Sequence, residues 1–195
     1  MARPREFDRT QALEQAMRVF WAQGYDATSL CDLLGAMSLS KSSLYETFGS
    51  KHELYLSALD HYNRTVTAKQ IGAVIAAHAS PKAGIAAVFH SMIDSMVKSQ
   101  GGCCGCFVSN SAVEVATRDP AAARRVCAGL DRVEAAFCAA LQRARAAGEI
   151  PDNRDTMALA RYLNSSLHGL MVMAKARPER AALDDVVRIV LQTLD

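Results

Sequence analysis

Apolar residues recur at intervals of three and four along most of the chain, the period of helices that bury one side. Ala12, Leu13, Ala16, Met17 and Phe20 share one face, Asp8 and Gln11 are spaced as a capping box before them, and Gly24 closes the run, which predicts a helix over about 9–23. Thr28 or Ser29 opens a short second helix with Leu30, Leu33, Leu34 and Met37 on its apolar side. Ser38-Leu39-Ser40 interrupts the pattern. A third helix, over about 41–48, has only Leu44 and Phe48 as core positions and a wide polar surface, and Gly49 stops it. Ser50 to Glu53 is a capping box for a long fourth helix over about 51–78, carrying Leu54, Leu56, Ala58, Leu59 and Tyr62. Ser80-Pro81 and Asp119-Pro120 each place a capping residue before a proline at the first helical position. With Gly148, Pro151 and Pro178 they divide the remainder into helices over about 82–99, 106–117, 120–147, 153–176 and 179–194.

Composition agrees. The 195 residues include 34 alanines and five prolines, and alanine favours helices over strands, so the expected fold class is all-α. Half the residues are apolar, enough for a packed core. No run of 18 apolar residues exists to span a membrane, and Met1 to Thr10 is charged rather than apolar, unlike a secretory signal. The expectation is a cytoplasmic chain with reduced thiols, no membrane partner and no cofactor. The net charge of +2 says little about a polyanionic partner, because residues 1–52 hold six Lys/Arg and six Asp/Glu. Any nucleic-acid role rests on where charge is placed, not on its sum.

The second and third helices are joined by a tight turn, the helix-turn-helix plan, in which the later helix enters the major groove. Such a helix needs small or polar side chains at its leading end and anchors behind. Ser40, Lys41, Ser42 and Ser43 meet the first need, Leu44 and Phe48 the second. Thr28, Ser29 and Lys51 stand at helix starts, where hydroxyls, N–H groups and cations clamp phosphates.

The runs Gly24-Tyr25-Asp26-Ala27-Thr28-Ser29 and Leu39-Ser40-Lys41-Ser42-Ser43-Leu44-Tyr45-Glu46-Thr47-Phe48-Gly49-Ser50-Lys51-His52-Glu53-Leu54 resemble the TetR (tetracycline repressor) family of bacterial regulators over about residues 8–60. The resemblance implies a dimeric all-helical repressor with a helix-turn-helix DNA-binding domain over 1–50. A helical domain over 51–195 would bind a small-molecule inducer and form a homodimer, and the partner would be double-stranded operator DNA. It also implies DNA contacts from Lys41, Ser42, Ser43, Tyr45 and Thr47, phosphate contacts from Tyr45 and Lys51, and an anchor at Thr28. Two departures stand out. Ser38 occupies a turn position where the family often has glycine, and Glu46 and Thr47 replace common aromatic or His residues. A carboxylate at 46 either accepts from a cytosine amino group or points away from phosphate. Gly105-Cys106-Phe107-Val108-Ser109-Asn110-Ser111-Ala112 is similar to a pattern in one branch of the family.

Beyond that motif the chain leaves alternatives open. Phe89, Met92, Ile93, Met96, Phe107, Phe137 and Tyr162 could line an inducer cavity, with Asn110, Glu114 and His168 as polar contacts, or simply pack a core. Glu114 is the most informative, since a buried carboxylate needs a partner. Met157, Leu163, Leu167, Leu170 and Met171, with Leu183, Val187, Val190 and Leu194, make the last two helices apolar on more than one side. That width suits a subunit interface or helices buried within one chain. Cys103, Cys104 and Cys106 form either a loop with incidental thiols, a thiol switch, or a metal site, although their spacing lacks the separated pairs of a zinc module. Cys31, Cys127 and Cys138 read as small core residues. Two rival functions remain: a thiol-dependent enzyme, for which no motif links the five histidines to the cysteine loop, and a helical protein-binding adaptor.

Overall fold

The computed structural model describes residues 7–99 and 104–195, with side chains left out over 67–70. Cys103 and the charged segment 1–6 lie outside the described residues. Among those described there are ten α-helices and no strand: α1 Arg9–Gln23, α2 Leu30–Met37, α3 Lys41–Phe48, α4 Lys51–Tyr62, α5 Ala68–Ala76, α6 Pro81–Lys98, α7 Phe107–Glu114, α8 Pro120–Ala146, α9 Thr156–Ala176 and α10 Arg180–Gln192. Among the described residues no helix is long and apolar enough to cross a membrane.

Capping chemistry sets most boundaries. The Asp8 carboxylate accepts from the N–H groups of Thr10 and Gln11, and Asp119 and Asp155 cap α8 and α9 in the same way. Ser29 and Asp32 form a reciprocal box at α2, which holds the Asp32 carboxyl below its usual range through the Ser29 bonds. Ser38 ends α2 at φ 54° and ψ 38°, the left-handed conformation a glycine would take more readily.

The long fourth helix differs from expectation. It is interrupted by a π-helical turn, Asn63–Thr67, between α4 and α5. The cause is tertiary: Asn63 is buried, its Nδ2 donates to the Arg125 carbonyl at 2.9 Å, and its Oδ1 faces the bare backbone of Gly129, where a Cβ would lie 2.5 Å away.

Two apolar cores result. The first joins α1–α4 through Phe20, Leu33, Leu44, Phe48, Leu54 and Leu59, then continues beyond residue 50 to Tyr62, Phe107 and Val126. The second joins α5, α6 and α8–α10 around Ile85, Phe89, Phe137, Leu141, Leu163 and Val187. Burying each such side chain contributes about 1.5–3 kcal/mol. An aromatic seam ties α1, α4 and α7 together. Tyr55 meets Phe20 at 5.2 Å and Phe107 at 5.8 Å, and Tyr62 meets Trp21 at 5.1 Å and Phe107 at 5.6 Å between ring centroids.

Candidate nucleic-acid interface and its coupling to the helical domain

Leu44 and Phe48 are buried on the inner side of α3, so its other faces are free. Ser40, Lys41, Ser42, Tyr45 and Glu46 are exposed, and Ser43 and Thr47 half-buried. The Ser40 hydroxyl accepts from the Ser43 N–H at 3.2 Å and lies 3.0 Å and 2.9 Å from the hydroxyls of Ser42 and Ser43. The leading end of α3 is therefore a knot of small hydroxyls. Ser29 is exposed at the start of α2, and Lys51 stands at the start of α4 with its ammonium 4.6 Å from the Tyr25 ring centroid. Eight of the nine predicted DNA-contact residues are thus exposed or half-buried, along α3 and at the starts of α2, α3 and α4. Thr28 is the exception. It is 1% exposed and its hydroxyl donates to the Gly24 carbonyl, so it locks the α1–α2 turn and cannot reach a phosphate.

Behind this surface, α7 connects the helix-turn-helix to the cysteine loop. Glu114, at its C-terminal end, accepts from the Tyr25 N–H at 3.0 Å and the Asp26 N–H at 2.9 Å. Gly24 makes room for it: φ is +86°, and a Cβ there would sit 2.8 Å from the Glu114 carboxylate. Arg118 pairs with Asp26 and His52 with Asp119, and the His52 bond holds the Asp119 carboxyl below its usual range. The Tyr55 hydroxyl donates to Ser111 on α7 at 2.7 Å, and burial pushes Tyr55 up to about 12.

At the other end of α7, Cys106 is the N-cap residue and is 5% exposed. The Tyr62 hydroxyl donates to its sulfur at 3.7 Å. Burial pushes the thiol up, but His168, with the backbone and hydroxyl of Ser109, outweighs it and leaves Cys106 below the ordinary thiol range. His168 Nδ1 shares a hydrogen bond with Ser109 Oγ at 2.7 Å, and its Nε2 is buried without a partner. The indole N–H of Trp21, on α1, donates to the Gly105 carbonyl at 3.1 Å.

A cavity of about 760 Å³ adjoins this loop, lined by residues that include Trp21, Tyr62, Val66, Met92, Met96, Cys104, Leu167 and Met171. Of the ten predicted cavity residues, only Met92 and Met96 reach it. Phe89 and Phe137 stack on each other in the second core, beside buried Ile93. Phe107 belongs to the aromatic seam, and Tyr162 is exposed on α9. Glu114 holds the α1–α2 turn, His168 attends Ser109 and Cys106, and Asn110 bridges the Cys104 carbonyl and the Lys175 ammonium. Tyr162 apart, helical spacing identified apolar residues facing inward, but not which of two inward spaces each one faces.

The predicted interface residues need a similar correction. Leu163, Leu167, Leu170, Leu183, Val187, Val190 and Leu194 are buried within the chain's own core, and Met171 faces the cavity. Of that set only Met157 is exposed. The large apolar side chains left exposed on α9 and α10 are Met157, Tyr162, Val172, Met173, Val186 and Ile189. Cys31 and Cys127 are exposed rather than core, and Cys138 is buried.

Comparison with known proteins fits this architecture. Residues 12–58 match the family model of bacterial regulatory proteins, tetR family, and residues 81–190 match the tetracyclin repressor-like C-terminal domain. The chain is 35% identical over 196 residues to the uncharacterized HTH-type transcriptional regulator YezE of Bacillus subtilis (strain 168), covering all of both chains. It is 31% identical to the HTH-type transcriptional repressor ComR of Escherichia coli (strain K12), covering 98% of this chain and 90% of that one. A cysteine mutant of the TetR family regulator CifR, solved with a 26 bp operator duplex, is 31% identical with a TM-score of 0.87 over the whole of both chains. This chain belongs to the TetR family of DNA-binding transcriptional regulators.

Proposed function

We propose that this regulator is a homodimeric repressor that holds its operator through α3 and releases it when the loop at Cys104–Cys106 is modified or the adjoining cavity is filled. The observation that carries this is the double link from loop to DNA-binding surface. Trp21 Nε1 is bonded to Gly105 at one end of α7, and Glu114 is bonded to the α1–α2 turn at the other. A change at the loop therefore bears on the segment that positions α3. Repression is the printed role of ComR, and CifR was captured on operator DNA as a cysteine mutant, which supports both halves of the reading. Cys104 lies in the cavity wall, so an adduct on its sulfur and a ligand in the cavity would occupy the same space.

On DNA, Ser42, Ser43, Tyr45 and Thr47 would read base edges or adjacent phosphates from α3. Lys41, Lys51 and the N-terminal hydroxyls of Ser29 and Ser40 would hold the backbone. The test is a gel shift of the gene's own promoter region over a salt series, with wild type and the Tyr45→Ala/Lys51→Ala double variant. The wild type should shift the DNA selectively. The double variant should remain folded and lose about tenfold or more in affinity, as expected for two groups at 1–3 kcal/mol or less each. A wild-type protein that shows no selective shift at any salt concentration overturns the proposal.

A further inference from the structure

We propose that Glu46 is a specificity-determining residue of the DNA-binding surface: its carboxylate accepts from the exocyclic amine of one cytosine in each half of the operator. The inference rests on α3 being the segment that enters the groove, and it names a base that α3 selects.

An α-helix turns by about 100° per residue. Leu44 and Phe48, the buried pair, fix the inner side of α3. Glu46 is two residues from each, so it lies about 160° around the axis from both, on the line that points away from the core. Ser42, one turn earlier, is its neighbour on that line, and both are exposed. Lys41 and Tyr45 stand on one flank of the line, and the half-buried Ser43 and Thr47 on the other. The eight residues of α3 run about 12 Å, the width of a major groove. A helix seated there with Leu44 and Phe48 behind it turns its flanks to the two phosphate rims and its outer line to the base edges. Glu46 is the longest side chain on that line.

Helix stability does not account for a carboxylate at this place. Glu46 lies in the last turn of α3, where the helix dipole favours cations. Between two rows of phosphates its charge is repelled, unless a donor on a base receives it. A carboxylate accepts hydrogen bonds and offers none. In the major groove guanine presents N7 and O6 and thymine presents O4, so lone pairs would meet lone pairs. The donors available are the amines of cytosine and adenine. The adenine amine stands beside N7, a further acceptor, whereas the cytosine amine has only the C5 hydrogen next to it. The carboxylate therefore gains most from cytosine, and it acts against every sequence that places no amine within its reach.

The test is selection of bound duplexes from a randomised pool by the full-length wild type, Glu46→Ala and Glu46→Gln, followed by titration of the selected duplex and its single-base variants. The wild type should enrich a motif with cytosine at one position of each half, and replacing that C·G pair should weaken binding by about tenfold. Glu46→Ala should accept all four bases at that position to within about twofold while keeping its preferences elsewhere. Because it removes a negative charge from between phosphates, it should also bind a random-sequence duplex about twofold more tightly at low salt. Glu46→Gln, whose amide both donates and accepts, should favour adenine over cytosine at that position, and it carries the test alone should Glu46→Ala fail to fold. A base other than cytosine at the position that Glu46→Ala releases, an unchanged motif in Glu46→Ala, an equal loss of binding to every duplex by a folded variant, or full cytosine preference in Glu46→Gln would each overturn the inference. A wild type that enriches no sequence would overturn the reading of α3 along with it.

Discussion

Cys106 shows how opposed influences on one residue can be separated. Burial alone would raise its thiol, and the groups around it from α7 and α9 bring it down. The folded chain therefore gives up the thiol proton more readily than an ordinary cysteine does. The rate of alkylation should climb as pH rises and reach half its plateau below 9.0, the ordinary thiol value, with the thiolate's contribution to stability lost as pH falls through that same point. Replacing His168 by Ala removes the main opposing influence and leaves the burial, so the half-point should move up. Iodoacetamide kinetics followed by mass spectrometry would check this, and an unchanged profile in the variant would refute the assignment. None of this could be read from residue spacing, since His168 lies 62 positions from Cys106 in the chain. The left-handed backbone at Ser38, by contrast, was legible through the family resemblance, since Ser38 stands where that family often has glycine.

At the scale of elements, α7 is only eight residues long, yet it meets both the thiol and the helix-turn-helix. Glu114→Ala would leave the Tyr25 and Asp26 N–H groups without their acceptor, at a cost of about 1–3 kcal/mol for the half-buried one. The expected result is a folded protein whose Tyr25 and Asp26 amides exchange faster with solvent. Its operator affinity should also respond less to modification of Cys106. Amide exchange followed by mass spectrometry and gel shifts before and after alkylation would measure the two effects. Full coupling in the variant would mean that the signal bypasses α7. Most helices here were legible from the chain because their ends are local chemistry: Asp8, Ser29, Ser40, Ser50, Ser80 and Asp119 each cap the helix that follows. The π turn was not, because it depends on Asn63 meeting an α8 carbonyl 62 residues away. The candidate site divided along the same line. Its recognition helix is local and readable, whereas its cavity is assembled from α1, α4, α5, α6 and α9 and is not.

For the whole molecule, the homodimer proposed above needs a surface that brings two recognition helices to one duplex. Apolar width along α9 and α10 was visible in the chain, but it could not separate the inward side from the outward one. Val172 at 52%, Met173 at 59% and Ile189 at 51% stay exposed on these two helices, large apolar side chains that a second subunit could cover. A two-fold pairing through these side chains would bury them in both subunits at once and relate the two α3 helices by the same axis, so each could enter a major groove about one helical turn, roughly 34 Å, from the other. Met173→Glu puts a charge at the most exposed of these positions, where it touches nothing in its own core. The chain should therefore keep its helical content and sediment as a monomer. Each recognition helix would then bind alone. Linking two half-site contacts raises apparent affinity by about a hundredfold or more, so losing the link should weaken operator binding by about that factor while leaving half-site binding unchanged. Analytical ultracentrifugation with operator and half-site titrations would measure both. A variant that remains dimeric places the subunit contact elsewhere, and a monomer with full operator affinity shows that pairing is not what aligns the two readers.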